Sequence, residues 1–271
     1  MSAKSSKPGQ WAAKYAQMFK DQSVVDDYYL RPPYVPETFR ILGALVQELR
    51  PRRVLDAGCG TGNLARQLIH IADHVDAVDF SAAAIEEGKR LPGGDDPRLN
   101  WLCSPMETAN LVPGYALITA GSSLHWMEWE TVVPAFKRLL LPGGSLALVE
   151  NVIQSPPWSD EINPLIARYS MNKEFQRYDN RTLAGDLQRL HLFHLEGERQ
   201  TTTVKFGQTI RDYVSSFHSR NGLARDRLGP DVTRDFDDQL TALVTTYCPS
   251  GDMTLSMDSR IIWGYPLAAG N

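Results

Sequence analysis

The chain has few of the features that mark specialised classes of protein. Its 271 residues include three cysteines, Cys59, Cys103 and Cys248, an odd and widely spaced set with no CxxC pair. Such a set excludes a disulfide framework and a thiolate zinc site, and it suits a reducing compartment. No apolar run approaches the ~20 residues needed to cross a bilayer, so no membrane segment is expected. Residues 1–10 are polar and lack an apolar stretch, so no secretory signal is expected either, and a cytoplasmic location is. Charge of one sign is also missing: 28 Lys and Arg against 32 Asp and Glu leave a formal net charge of −4. The chain as a whole is therefore not drawn to phosphate backbones or anionic lipid. What is present, 42% hydrophobic and 22% charged residues, is an ordinary globular balance, and the length admits one large domain or two small ones.

The hydrophobic periodicity supplies the organisation. Residues 1–9 read as a disordered tail. Trp11, Tyr15, Met18 and Phe19 share one helical face, and residues 37–49 repeat apolar positions as a second helix. Between them Arg31-Pro-Pro-Tyr-Val-Pro36 is barred from helix interior by its prolines. Short buried strands are then expected at 53–56, 74–79, 99–103, 115–120 and 145–150, with helices at 61–71, 81–90 and 131–140 between them. Ser81 is placed to cap the second of these helices. Such alternation means βαβ units and a parallel sheet with helices on both faces. Further on, helix is expected over 156–190, strand over 192–206, helix over 210–228 and 231–247, and strand over 253–263. No linker or repeat divides the chain, which reads as one domain. Residues 51–150 form its core, 10–50 and 151–190 a lid, and 191–267 late strands with insertion helices.

The most informative segment is Val54-Leu-Asp-Ala-Gly-Cys-Gly-Thr-Gly-Asn-Leu64, which leaves a strand and opens a helix. Glycines there remove the side chains that would hold a ligand away from the backbone. The spacing is G-x-G-x-G; Asn63 stands where a dinucleotide-binding loop has its third glycine, which disfavours a nicotinamide dinucleotide. Asp79 ends the next strand about 20 residues on, where a carboxylate accepts hydrogen bonds from a ribose diol. Phe80 beside it offers an apolar face to a purine.

These residues resemble the class I S-adenosylmethionine-dependent methyltransferases. The likeness lies in residues 54–64, in AVDFS (77–81), ITAGSSLHW (118–126) and LLLPGGSLALVE (139–150). Within that superfamily the chain looks most like the trans-aconitate methyltransferase group of small-molecule enzymes, through RPPYVPETF (31–39), the Leu-His-Trp at 124–126, DYVSSFHS (212–219) and IIWGYP (261–266). The resemblance implies an α/β, Rossmann-like sheet of seven mostly parallel strands, with N-terminal helices and a helical insertion between strands five and six as a lid. It implies S-adenosylmethionine as cofactor, with Gly58 and Gly60 at its methionine end and Asp56 organising the loop. Asp79 would then take the ribose, with Phe80, Pro105 and Met106 around the adenine. Ala120 and Gly121 would line the path of the sulfonium, and Tyr28 would add a contact. Ser104 stands where the family often has an Asp.

Methyl transfer from a sulfonium is an in-line displacement in which the enzyme mainly aligns the partners and excludes water. A base is needed only for a nucleophile that carries a proton. His125, after the fourth strand, suits that task, or else it shapes the site with Trp126 and Trp129. Arg31 either neutralises an acceptor carboxylate or pairs with a surface acid. Glu150 reaches the same rim or caps a helix, and Ser216, His218 and Arg220 are further candidates on an insertion helix. His191 and His194 have no third ligand at metal spacing. The expected function is methyl transfer to a small-molecule carboxylate or hydroxyl. The alternatives are a nucleic-acid methyltransferase, disfavoured by the net charge and by Ala120-Gly-Ser-Ser123 in place of a base-stacking motif, and a cofactor-binding protein without transfer activity. The sequence is silent on oligomeric state.

Overall fold

The computed structural model describes Trp11 and residues 16–173, 179–220 and 222–268. Tyr15 and the tail before Trp11 lie outside them. In chain order the regular elements are α1 (Gln22–Asp26), α2 (Pro36–Val46), β1 (Arg53–Ala57), α3 (Ala65–Leu68), β2 (His74–Asp79), α4 (Ala82–Arg90), β3 (Leu99–Cys103), β4 (Tyr115–Gly121) and α5 (Trp129–Leu139). There follow β5 (Leu140–Ile153), α6 (Ser159–Tyr169), α7 (Asn180–Arg189), β6 (Phe193–Gln200), β7 (Val204–Thr209), α8 (Ile210–Ser216), α9 (Arg225–Leu228), α10 (Pro230–Tyr247) and β8 (Asp252–Pro266). Local chemistry sets several boundaries. Pro36 opens α2 at the turn where its missing N–H costs nothing. Ser81 caps α4 as expected, its side chain accepting from the Ala84 N–H at 3.3 Å.

The strands form one sheet in the order β3-β2-β1-β4-β5-β8-β6, with β7 paired to the other end of β8. Strands β1 to β5 run parallel, and β8 is antiparallel to its neighbours. The sixth expected strand is one extended run broken into β6 and β7, which pair with successive stretches of β8. The break is pinned where Thr201 Oγ1 accepts from the Ser259 N–H and Thr202 donates to Glu37. This is the Rossmann-like, mostly parallel architecture the motifs imply.

Strands β4 and β5 are buried on both faces, so their apolar residues run continuously instead of alternating with polar ones. Ile118, Leu146 and Leu148 pack with Phe136 of α5 and Leu187 of α7 on one side. Leu117, Ala147 and Val149 pack with Leu42 of α2 and Leu68 of α3 on the other. A third core, around Trp158, Phe217, Phe236 and Leu240, joins α6, α8 and α10 to the start of β8.

Three expectations are corrected. Helix covers only Ala65–Leu68 of residues 61–71; Gly62, with φ at 77°, delays its start. The helix expected over 156–190 is two helices. The second, α7, presents Leu183, Ala184 and Leu187 to the sheet core, so it covers the sheet and is no lid. The helix expected over 210–228 breaks after Ser216; Gly222 sits at φ 96°, where an added Cβ would lie 2.3 Å from Ser170 Oγ. Residues 16–31 and the segment 217–228 meet through Met18 with Gly222, Ser23 with Asp226, and Arg225 with Asp27. Residues 16–31 cover the carboxyl edge of the sheet instead. No helix among the described residues is long and apolar enough to cross a membrane.

Candidate active site

At the carboxyl ends of β1 and β2 the glycine loop folds back on its neighbour. The Gly58 and Cys59 N–H groups both donate to the Val78 carbonyl, at 2.8 and 3.0 Å. Asp79 completes the tie: one oxygen accepts from the Gly60 N–H and the other from the Ser81 N–H, each at 2.8 Å. Gly58 has φ 72°, and a Cβ on it would lie 2.5 Å from Ser123 Cβ, so the ends of β1 and β4 approach only over glycine. A Cβ on Gly60 would meet only the Tyr28 ring, its hydroxyl at 3.5 Å, beside a cavity that Gly60 lines.

That cavity measures about 300 Å³. Gly58 and Gly60 form part of its lining, with the Asp79 carboxylate beside them, and Phe80, Pro105 and Met106 enclose an apolar slot. Phe19, Lys20 and Tyr28 come from the segment that covers it, with Lys20 Nζ 5.2 Å from the centre of the Phe80 ring. Burial raises the Asp79 pKa, and the backbone N–H groups it accepts from oppose that rise.

A second cavity, of about 580 Å³, shares Tyr28, Arg31, Gly58, Gly121 and Ser122 with the first. Asp56, Asn63, Tyr34, Asn151 and Arg220 add to its lining. Asp56 is 1% exposed; its oxygens accept from Thr119 Oγ1 at 2.9 Å and from the Ala65 N–H at 3.1 Å. Desolvation pushes its pKa up to about 7 despite those two bonds. Burial likewise drives the Tyr34 phenol well above its ordinary range, against a hydrogen bond with Ser122. Arg31 lies over the Tyr28 ring at 4.2 Å and donates to the Tyr28 hydroxyl, to Ser219 Oγ at 2.9 Å and to the Ser219 carbonyl.

Nine of the candidate residues, Gly58, Gly60, Asp79, Phe80, Pro105, Met106, Gly121, Tyr28 and Arg31, therefore meet at the first cavity. Asp56 faces the second, where it ties the loop to α3. Ala120 lines neither: side chains alternate along β4, so Ala120 joins the sheet core and Gly121 reaches the site. His125 is also absent from both linings. Its ring lies 4.8 Å from Trp11 and 4.9 Å from Trp126. Of the weaker candidates Arg220 alone lines a cavity. Glu150 accepts from the Asn180 N–H and pairs with Arg260, so it holds the start of α7. Ser216 donates to the Tyr213 carbonyl, and the fully buried His218 bonds to Leu223 and Asp237. Tyr34, Ser122 and Asn151 went unread. Only Tyr34 left a trace, as the tyrosine inside the proline segment.

Residues 54–144 match the family model described as a methyltransferase domain. That match covers the strands and the glycine loop that the Gly60–Asp79 tie joins, so this part of the chain is a methyltransferase domain on a Rossmann-like sheet. Its relatives define the neighbourhood more closely. It is 28% identical over 196 residues to a malonyl-[acyl-carrier protein] O-methyltransferase of Enterobacter lignolyticus, over 70% of this chain and 72% of that protein. It is 28% identical over 188 residues to a trans-aconitate 2-methyltransferase of Methylobacterium nodulans, over 60% of this chain and 70% of the other. With another malonyl-[acyl-carrier protein] O-methyltransferase, from Anoxybacillus flavithermus, the identity is 36% over 80 residues, and the match spans only 30% of that protein. The fold also matches a solved chain from Anaeromyxobacter dehalogenans, described as a proposed type II methyltransferase, with TM-score 0.62 and 21% identity over 88% of this chain and 99% of that one. The residues present fit S-adenosylmethionine. Gly60 leaves room beside Tyr28 that a Cβ would take up, Asp79 offers a carboxylate to a diol, and the slot at Phe80, Pro105 and Met106 suits a purine.

Proposed function

We propose that the protein transfers a methyl group from S-adenosylmethionine to the carboxylate or hydroxyl oxygen of a small-molecule acceptor. When bound, the cofactor supplies a methyl group on a sulfonium, already activated for displacement. The observation that carries the reading is the shared wall: Tyr28, Arg31, Gly58, Gly121 and Ser122 belong to both cavities, so two ligands lie against each other across them. The chain's own residues supply alignment and dryness. Gly58 and Gly60 set the depth of the first ligand, Asp79 its register, and Tyr28 with Arg31 covers the junction. The named relatives support an oxygen acceptor, one being an O-methyltransferase and another acting on trans-aconitate, a carboxylic acid. The net charge of −4 speaks against a nucleic-acid acceptor.

Calorimetry with S-adenosylmethionine, S-adenosylhomocysteine and NAD, followed by a labelled-methyl screen of carboxylic acids, phenols and amines, tests this. Binding of the first two and label on an oxygen acid are expected. Binding of NAD alone, or label only on nucleic acid, would refute the reading.

A further inference from the structure

The cover of the first cavity is fastened along one side. Residues 16–31 turn Phe19, Lys20 and Tyr28 to the cavity, whereas Asp21, Ser23 and Asp27 line neither cavity and meet the consecutive run Arg225-Asp226-Arg227. Arg227 donates twice to the Asp21 carboxylate, its Nη2 at 3.0 Å, and Arg225 donates to Asp27 at 3.0 Å. Between these pairs the Ser23 N–H donates to the Asp226 carboxylate at 3.2 Å, and the Asp226 N–H to the Ser23 hydroxyl at 3.3 Å. Among the described residues, every hydrogen bond or ion pair that ties 16–31 to another part of the chain ends on 219–227; Arg31 with Ser219 and Met18 with Gly222 make up the remainder. Toward the sheet the segment offers ring contacts instead, Phe19 against Trp126 at 5.4 Å and Lys20 over Phe80.

The other half of this ladder is anchored. Leu223 and Ala224 are buried, Leu223 in the third core. The fully buried His218 has Nδ1 2.7 Å from the Leu223 carbonyl and Nε2 2.7 Å from the Asp237 carboxylate. Asp237 also accepts from Arg225 at 3.1 Å, so the guanidinium is already aimed when it meets Asp27. A pair whose partner is held in place loses less side-chain entropy on forming than one between free side chains. We propose that Arg225 and Arg227 are positioning residues for the cofactor: through Asp27 and Asp21 they latch residues 16–31 over the first cavity and set how fast S-adenosylmethionine enters and leaves. The inference rests on the reading of that cavity as the cofactor's. Neither arginine lines the first or second cavity, so the latch is separable from ligand contact.

The test follows S-adenosylhomocysteine by stopped flow, read through the fluorescence of Trp126, which lines the first cavity. Asp21→Asn combined with Asp27→Asn keeps the side-chain shapes and removes the charges. Association and dissociation both quicken about 3- to 20-fold, the loss of two partly shielded pairs, and their ratio moves less than about threefold. Losing a side chain that touched the ligand would quicken dissociation alone. Asp21→Arg acts in the same direction, and adding Arg227→Asp returns both rates to within about twofold of wild type. Hydrogen exchange reads the latch without any ligand: amides of 16–31 exchange faster in the doubly substituted protein, and those of β1 to β5 do not, which also shows that it folds. Unchanged rates, a rise in dissociation alone, or a reversed pair that fails to restore them overturns the assignment, as does unchanged exchange over 16–31. Wild-type protein that ignores S-adenosylhomocysteine, while exchange over 16–31 responds as described, leaves the latch standing and removes the cofactor reading instead.

Discussion

Replacing Asp56 by Asn should stabilise the protein at pH 8 and leave it nearly unchanged at pH 4. The carboxyl is 1% exposed and its pKa is raised from 3.8 to about 7, chiefly by desolvation. Below pH 4 the group is protonated in both folded and unfolded chains and contributes no pH dependence. Between pH 4 and 7 the unfolded chain releases its proton while the folded one retains it, so stability falls as pH rises; above 7 both are ionised and the loss is complete. The full cost amounts to at most about 4 kcal/mol. Asn mimics the protonated acid. Its oxygen accepts from the Ala65 N–H, its amide donates to Thr119 Oγ1, and the Thr119 hydroxyl turns to the Leu55 carbonyl, already 3.4 Å away. Acids such as Asp76 and Asp96, with lowered pKa values, give slopes of opposite sign but are common to both proteins and cancel in the difference. Urea unfolding at pH 4, 5.5, 7 and 8, without cofactor, measures it. A difference that is constant across pH, or that turns against Asn as pH rises, refutes the account.

Three further outcomes follow from the site. Asp79→Ala removes the acceptor for the Gly60 and Ser81 N–H groups and the expected ribose contact, and should weaken S-adenosylhomocysteine binding by about 1.5–3 kcal/mol; calorimetry showing unchanged affinity would remove Asp79 from the site. Gly60→Ala should cost cofactor affinity with a stability loss of about 1–2 kcal/mol from its φ of 56°. Gly62→Ala, whose Cβ would lie 2.4 Å from Trp101, should instead lower the melting temperature more, and equal effects would contradict the geometry. His125→Ala should lower stability by about 1 kcal/mol through the lost contacts with Trp11 and Trp126, with kcat changed less than tenfold; a hundredfold fall in kcat would restore it as a base.

The cofactor side was legible because its parts are local. Gly58, Gly60 and Asp79 belong to two successive strand–turn–helix units, and pairing β1 with β2 suffices to join them. Periodicity located the five parallel strands for the same reason. It overran the helices, which break at Ser170 before Asn180 and after Ser216, and it began one too early at the Gly62 turn, where φ is 77°. Of the adjacent pair Ala120 and Gly121, only Gly121 lines the cavity, because successive residues of a strand face opposite sides. His125 has the residue type of a base, but the packing of Trp11 from the other end of the sequence decides what its ring touches.

By itself, then, the sequence determined the positions of the parallel strands, the glycine loop and its acid, since each follows from spacings of a few residues. Only the tertiary structure decided the second cavity. Arg31 meets Ser219 across 188 residues of sequence, and Tyr34, Asn151 and Arg220 reach one cavity from three remote elements. No local pattern records such a meeting, because it is set by how the covering segments pack over the sheet edge.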